Sequence, residues 1–271
     1  MPLTSDDLWL AHMARTLDAV AAEAGDLAMR WFRPGKKTSA RTDYKPGGSP
    51  VTEADLAVDA FLTERLRPLV PQAAWLSEET LDSPERLSRE TVLVVDPIDG
   101  TRGFAAGDAR WCVSVALVRA GRPIAGAIAA PAAGERYFAF AGGGAWLNGA
   151  RLDIAPRENL AGGKIAGPQP STTKVAHALD MEVAPRVPSL AMRFAMVAGG
   201  ALEGALSSPN SHDWDIAAAD LILHEAGGLL TALDGTQIRY NRTQLTHGAL
   251  AAAARASHPA ILAAFAHATT S

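Results

Sequence analysis

An apolar, β-branched run that ends in a turn with two carboxylates constrains this chain more than any other segment. Residues 91–95 read Thr-Val-Leu-Val-Val, and residues 96–101 follow as Asp-Pro-Ile-Asp-Gly-Thr. The first run predicts a buried strand that delivers Asp96 at its carboxyl end, where the proline stops the ladder. Gly100 permits a tight turn, and Thr101 can cap a helix whose free N–H groups face an anion. The string therefore predicts a site for metal ions and phosphate, since a simple turn needs only one acid and a glycine.

The composition is that of an ordinary globular protein. The chain has 271 residues, of which 48% are hydrophobic and 20% charged, and its formal net charge is −4. This balance argues against a nucleic-acid polymer as partner, because such a partner needs a basic face. A single cysteine, Cys112, excludes an intrachain disulfide and favours a reducing compartment. We find neither a signal peptide nor a bilayer-spanning stretch, so we expect a cytoplasmic protein with no membrane partner.

Hydrophobic periodicity predicts helices at the start of the chain and strands after them. Residues 5–31 predict a long amphipathic helix, and Thr52 opens a second helix with Asp55 at the capping-box position. The basic segment between them, residues 36–50, is either a solvated surface loop or a flap over an anionic site. Between residues 73 and 140 the pattern shortens into strand-like runs, and the turns between the later runs predict an antiparallel meander.

A change in composition after residue 152 marks the predicted boundary between two parts. Residues 1–152 carry paired helices, an antiparallel sheet and most of the acidic motifs, whereas residues 153–271 alternate helix and strand and complete the site. The chain is therefore expected to have an α/β (α+β) fold, as one large domain or two intimately packed parts.

Four acidic elements stand at the ends of predicted helices and strands. They are Asp55, the pair Glu78 and Glu79, the string at residues 96–101, and Asp215 near a helix start. Such positions converge easily in an α/β fold, and without cations the repulsion among them would raise their pKa values. Hard divalent cations remove this repulsion, and an all-oxygen set without a His or Cys cluster suits Mg²⁺.

In order and spacing, these elements resemble the signature of the inositol monophosphatase superfamily of Mg²⁺-dependent, lithium-sensitive phosphatases. The matching residues are Asp55, Ser77-Glu78-Glu79, the string at residues 96–101 and Trp214-Asp215-Ile216-Ala217-Ala218. The resemblance implies a layered αβαβα sandwich with its site between the two parts. It also implies two or three Mg²⁺ ions, with Mn²⁺ as a substitute, a small phosphorylated substrate, and assembly as a homodimer.

The resemblance further implies ligands for each ion. These are Glu78, Asp96 and the Ile98 carbonyl for the first ion, and Asp96, Asp99 and Asp215 for the second. A third, weaker ion would lie near Asp55 and Glu79. The implied reaction is hydrolysis of a phosphate monoester by a metal-activated water, without a covalent phosphoenzyme.

Three residues take catalytic roles by the same resemblance. Thr101, oriented by Asp55, and Glu78 would align and deprotonate the attacking water. The implied substrate contacts include Asp99, Gly100, Thr101 and Asp215. The alternative from another functional class is a binding protein that holds metal or phosphate without catalysis. The presence of both Thr101 and Glu78, which only water activation requires, favours the enzyme.

The substrate is less closely specified. Inositol monophosphatases carry an acid several positions before the Trp-Asp pair, and residues 207–210 (Ser-Ser-Pro-Asn) have none. Ser77 and the Leu-Asp-Gly at residues 233–235 resemble bacterial 3′(2′),5′-bisphosphate nucleotidases, and Arg102 and Arg193 are candidates to meet a second phosphate. We therefore favour adenosine 3′,5′-bisphosphate, cleaved to AMP and phosphate. Inositol 1-phosphate and histidinol phosphate are the alternatives.

Overall fold

The computed structural model describes residues 4–157 and 159–270. Its helices are α1 (Ser5–Ala28), α2 (Glu53–Leu66), α3 (Thr101–Ala106), α4 (Ser171–Ala178), α5 (Leu190–Ala198), α6 (Asp213–Glu225) and α7 (His258–Thr270), with 3₁₀ turns at Arg67–Leu69 and Pro84–Ser88. Both predicted N-terminal helices are present. Capping boxes start α1 and α2, formed by Thr4 with Asp7 and by Thr52 with Asp55.

Sixteen strands complete the described secondary structure. They are β1 (Thr42–Tyr44), β2 (Pro50–Thr52), β3 (Ala74–Ser77), β4 (Thr91–Asp99), β5 (Cys112–Arg119), β6 (Arg122–Ala130), β7 (Glu135–Phe140), β8 (Gly144–Leu147), β9 (Ala150–Leu152), β10 (Lys164–Ala166), β11 (Glu182–Val183), β12 (Gly204–Leu206), β13 (Ser211–His212), β14 (Gly228–Ala232), β15 (Thr246–His247) and β16 (Leu250–Ala254). Strands β1 and β2 form a hairpin that overlaps the end of the basic segment. We call the basic segment, residues 36–50, the flap.

The first large sheet has the strand order β3-β4-β5-β6-β7-β8-β9. Strands β4 to β9 are antiparallel in sequence order, which confirms the predicted meander, while β3 pairs parallel to β4. Parallel pairing places the carboxyl ends of β3 and β4 at the same edge of the sheet. The acidic residues at the carboxyl ends of these two strands therefore lie side by side.

Strand β4 extends beyond the proline at which we expected it to end. Asp96 pairs with Ser114 and Asp99 pairs with Cys112, and the register shifts between these two pairs. Pro97 and Ile98 lie in this irregularity, where a proline removes no regular ladder bond. The prediction that Pro97 stops the strand was therefore wrong, and both aspartates belong to β4.

The second large sheet has the order β11-β10-β12-β16-β14, with β10 parallel to β11 and β12, and β16 antiparallel to β12 and β14. Helices α1 and α2 cover the outer face of the first sheet, α5 and α6 lie between the sheets, and α4 and α7 cover the second sheet. The five layers confirm the αβαβα sandwich. The predicted boundary at residue 152 coincides with the end of β9, and the division into two parts stays a prediction.

Small residues bring α6 close to the first sheet. Ala217, Ala218 and Ala219 are buried in α6, and a Cβ added to Gly126 of β6 would lie 3.2 Å from the Cα of Ala218. The helix therefore meets the strand almost backbone to backbone. Within residues 4–157 and 159–270, no helix combines the length and the apolar character needed to cross a bilayer.

Candidate active site

Two buried carboxylates and one half-buried carboxylate meet where the end of β4 faces the start of α6. Asp96 and Asp99 come from β4, and Asp215 lies in the first turn of α6. One carboxylate oxygen from each residue lies within 4.8 Å of the other two. With Glu78, they line a cleft of about 190 Å³. We call these four residues the acidic cluster. The structure thus brings together four of the predicted metal ligands.

Burial makes the negative charge of the acidic cluster costly. It raises the pKa of Asp96 and Asp215 well above the ordinary value, and repulsion from neighbouring carboxylates adds to this effect. Burial also raises the pKa of Asp99 to about 6, although hydrogen bonds from Ser189 and α5 oppose the rise. Carboxylate oxygens that repel one another fit a hard divalent cation, which would remove the repulsion.

Asp99 is oriented by the start of α5. Its Oδ2 accepts hydrogen bonds from the Ser189 hydroxyl and from the Ala191 amide, both at 2.6 Å. The same hydroxyl caps α5 by accepting from the Met192 amide at 3.0 Å. Sequence reasoning missed Ser189 as a site residue, although a serine before an apolar helix is an N-cap signal. One hydroxyl therefore ties the position of a predicted metal ligand to a helix of the middle layer.

Asp55 joins the start of α2 to Thr101. Its Oδ2 accepts from the amide and the hydroxyl of Thr52, at 2.7 and 2.6 Å, which forms the predicted capping box. Its Oδ1 lies 3.1 Å from the Thr101 hydroxyl, which is also 3.0 Å from the Ile98 carbonyl. Burial raises the pKa of Asp55 to about 6. This carboxyl group is therefore poised to take up a proton near neutral pH.

Gly100 separates β4 from α3 and has a conformation that favours glycine. Its φ is 91°, and an added Cβ would lie 3.0 Å from the Ser189 amide nitrogen. Gly100 and Thr101 both line the cleft beside Asp99. The turn therefore borders the cleft that the acidic cluster lines, and its contact with phosphate stays a prediction.

The flap lies over the glutamate pair. The Nζ of Lys45 lies 2.9 Å from Glu78 Oε1 and 2.8 Å from Glu79 Oε1. The pKa of Lys45 is raised: burial alone would lower it, but the attraction of Glu78 and the hydrogen bonds to both glutamates outweigh burial. Burial raises the pKa of Glu79 to about 7. The flap thus places a positive charge at the acidic edge of the sheet. This position agrees with the alternative in which the basic segment covers an anionic site.

Two exposed arginines stand on the wall of the cleft. Arg102 donates from Nη2 to the Gly48 carbonyl at 2.9 Å, and Arg186, between β11 and α5, also lines the cleft. Arg193 does not line the cleft. Its guanidinium instead donates to the carbonyls of Leu206 and Val187, at 2.9 and 2.7 Å. Sequence reasoning missed Arg186, since no motif surrounds it.

Comparisons with known proteins agree with this geometry. The profile of the inositol monophosphatase family matches residues 9–270. A 3′(2′),5′-bisphosphate nucleotidase, CysQ, of Aggregatibacter actinomycetemcomitans is 30% identical and aligns over 86% of this chain and 89% of its own. A histidinol-phosphatase of Mycobacterium tuberculosis is 32% identical, over 86% of this chain and 90% of its own.

Solved structures show the same architecture. The crystal structure of the extragenic suppressor protein suhB from Bartonella henselae superposes with a TM-score of 0.80 at 26% sequence identity. It covers 94% of this chain and 98% of its own. The family profile, the five layers and the convergence of the acidic motifs lead to one conclusion: this chain belongs to the inositol monophosphatase family and is a phosphoric monoester hydrolase.

Proposed function

We propose that this phosphatase uses Mg²⁺ to hydrolyse a small substrate with two anionic groups, and that adenosine 3′,5′-bisphosphate is that substrate. The observation that carries the proposal is the charge distribution of the cleft. The cleft is lined by the acidic cluster and also by two arginines, Arg102 and Arg186, that come from different parts of the chain. A substrate with one phosphate would need only the acidic cluster and its metal ions.

The acidic cluster and the Ile98 carbonyl would hold the metal ions, with Glu79 and Asp55 beside them for a weaker one. When bound, Mg²⁺ would lower the pKa of a water molecule and neutralise charge on the phosphate. Glu78 contributes to the raised pKa of Asp96, Asp99 and Asp215, so all four carboxylates belong to one electrostatic unit. A single Asp-to-Asn change in this unit should therefore disturb every ion.

Thr101 and Asp55 would orient the attacking water and remove its proton. The Thr101 hydroxyl donates toward Asp55 Oδ1, so its oxygen lone pairs are available to a water in the cleft. Thr52 occupies the other oxygen, Oδ2, and prevents the carboxyl group from turning away. A proton can pass from water through Thr101 to Asp55, while Glu78 accepts a second hydrogen bond from the water. The amides of Gly100 and Thr101 and the side chains of Asp99 and Asp215 would contact the substrate.

Arg102 and Arg186 would bind the second phosphate. Guanidinium groups bind phosphate through charge-assisted, often bidentate hydrogen bonds. Both side chains are exposed at the cleft, whereas Arg193 is committed to two carbonyls and supports the wall behind them. The same pair of positive charges disfavours a cationic substrate such as histidinol phosphate. Inositol 1-phosphate has no second phosphate for these guanidinium groups to bind.

A comparative rate panel tests the substrate. Phosphate release is measured at saturating Mg²⁺, and again in EDTA, with adenosine 3′,5′-bisphosphate, inositol 1-phosphate, histidinol phosphate and fructose 1,6-bisphosphate. We expect kcat/KM for the nucleotide to exceed the others by about tenfold or more. Preference for histidinol phosphate or inositol 1-phosphate would refute the nucleotidase assignment. No turnover on any substrate, with Mn²⁺ binding retained, would instead favour a non-catalytic binding protein.

Arg186 supplies a sharper test of the same idea. Arg186→Gln should raise KM for adenosine 3′,5′-bisphosphate by about tenfold or more, because a charge-assisted hydrogen bond contributes about 1.5–3 kcal/mol. The KM for 3′-AMP, which lacks the second phosphate, should not change. Arg89→Gln, which removes an exposed arginine outside the cleft lining, is the matched control. Equal effects of Arg186→Gln on both nucleotides would show that Arg186 does not read the second phosphate.

A further inference from the structure

We propose that a buried polar network formed by Arg86, Asn241, Asp213 and His247 is a positioning device for the metal site. The network connects the segment after Glu78 and Glu79 with the first turn of α6, which carries Asp215. Its residues lie outside the cleft lining and touch no reacting atom. The inference rests on the proposed metal site and names residues that hold its two sides in register.

Arg86 anchors the side of the network that follows the glutamate pair. It lies in the 3₁₀ turn Pro84–Ser88, and only 2% of its surface is exposed. Its guanidinium donates to both oxygens of Asp82, at 2.7 and 3.1 Å, to Asn241 Oδ1 at 2.7 Å, and to the Arg242 carbonyl at 3.0 Å. Arg86 thus joins two segments more than 150 residues apart in sequence.

Asn241 transmits this contact to α6. Its side chain also donates from Nδ2 to the Arg86 carbonyl at 3.2 Å, so the two residues hold each other through two hydrogen bonds. Its backbone has a positive φ of 55°, and in this conformation its amide donates to Asp213 Oδ2 at 2.7 Å. Asparagine tolerates the left-handed region better than most residues. One residue therefore contacts both sides of the network.

Asp213 fixes the start of α6. Its surface is fully buried, and its second oxygen, Oδ1, accepts from His247 Nε2 at 2.7 Å. His247 lies on β15, which pairs with β13 directly before the helix, and the His212 amide of β13 donates to Asp215 Oδ2 at 2.7 Å. Both Asp213 oxygens and one Asp215 oxygen are thus fixed by hydrogen bonds within one turn of helix.

Such a network matters because a metal site tolerates only small displacements of its ligands. Mutation of residues that hydrogen-bond or support metal ligands typically changes metal affinity by about 10- to 100-fold. A buried carboxylate without partners is strongly destabilising, so Asp213 confines α6 to the one placement in which both of its oxygens are satisfied. The same placement sets where Asp215 lies relative to β4.

The variant Asn241→Gly separates positioning from folding. Glycine accepts the positive φ and keeps the amide that binds Asp213, so only the side-chain bonds to Arg86 are lost. Arg86→Met breaks the link from the other side. Tyr240→Phe is the matched control, because it removes the hydrogen bond from the neighbouring tyrosine to half-buried Asp220, at 2.8 Å, on the same helix α6.

Mn²⁺ binding to the substrate-free full-length protein, followed by electron paramagnetic resonance, tests the inference beside thermal unfolding in EDTA. We expect Asn241→Gly and Arg86→Met to weaken Mn²⁺ affinity by about tenfold. Tyr240→Phe should lower the unfolding temperature and leave affinity unchanged. If Asn241→Gly binds Mn²⁺ with wild-type affinity, or if Tyr240→Phe loses as much Mn²⁺ affinity as Asn241→Gly, the positioning role is overturned while the metal site stands. A wild-type chain that binds no Mn²⁺ would overturn both the network and the proposed metal site.

Discussion

Replacement of Asp55 by asparagine should stabilise the metal-free protein at neutral pH while it abolishes activity. Asp55 is fully buried, and burial raises its pKa from 3.8 to about 6. Each pKa unit corresponds to about 1.4 kcal/mol, so an ionised Asp55 costs the fold about 3 kcal/mol at pH 7. Loss of the capping-box bonds of α2 costs about 1 kcal/mol in the variant. The variant should therefore be more stable at pH 7 by about 2 kcal/mol.

The sign of the effect depends on pH. Between pH 4 and pH 6 folded wild-type protein binds more protons at Asp55 than unfolded protein, so its free energy of unfolding falls as pH rises through this window. Asparagine does not titrate. At pH 4 the variant should be less stable by about 0.5 kcal/mol, because loss of the cap outweighs the small ionisation cost that the wild type has there. The two stability curves should cross as the pH is raised.

Urea unfolding in EDTA, from pH 4 to pH 7.5, measures both curves. Asp7→Asn is the matched control, because Asp7 forms the equivalent capping box of α1 in an exposed position where hydrogen bonds from Thr4 lower its pKa. The control should lose stability at neutral pH. If Asp55→Asn and wild type differ by the same free energy at every pH, burial of Asp55 is not the cause. Phosphate release by Asp55→Asn should fall by about 10²- to 10⁴-fold.

Three further predictions concern the metal site. Asp96→Asn should abolish Mg²⁺-dependent phosphate release yet keep the circular dichroism spectrum; retained activity would place the site elsewhere. Ser189→Ala should lower stability by about 1 kcal/mol in urea unfolding and weaken Mg²⁺ activation by about tenfold, because the cap of α5 and a hydrogen bond to Asp99 are both lost. Unchanged activation would show that Ser189 only caps the helix. Millimolar Li⁺ should inhibit turnover, and insensitivity would indicate an altered second-metal site.

The parts of the fold that are encoded locally could be predicted from sequence. Apolar periodicity marked α1, and the capping residues Thr52 and Asp55 marked the start of α2. The turns between short apolar runs marked the meander of β5 to β7. Pro97 was misjudged because a proline ends a regular ladder but can sit in a bulge, and the bulge depends on pairing with β5, which no local pattern encodes.

The acidic cluster could also be predicted, because its members lie at the carboxyl ends of strands or in the first turn of a helix. Its supports could not. Ser189 and Arg186 reach the site only through the packing of α5 against the first sheet, and Asn241 contacts Arg86 across more than 150 residues. These residue types are common on any surface and have no distinctive spacing. Their roles depend on tertiary contacts alone.

The close approach of α6 to Gly126 has a consequence for how such an enzyme can change. Asp215 sits three residues before Ala218, whose Cα would lie 3.2 Å from a Cβ at position 126. A larger residue there would push the helix outward and move one predicted ligand away from Asp96 and Asp99, with every ligand intact. A substitution in the middle of a strand can therefore change the distance between the ions and the preference among cations of different radius. A comparison of the ligand residues alone would not reveal such a change.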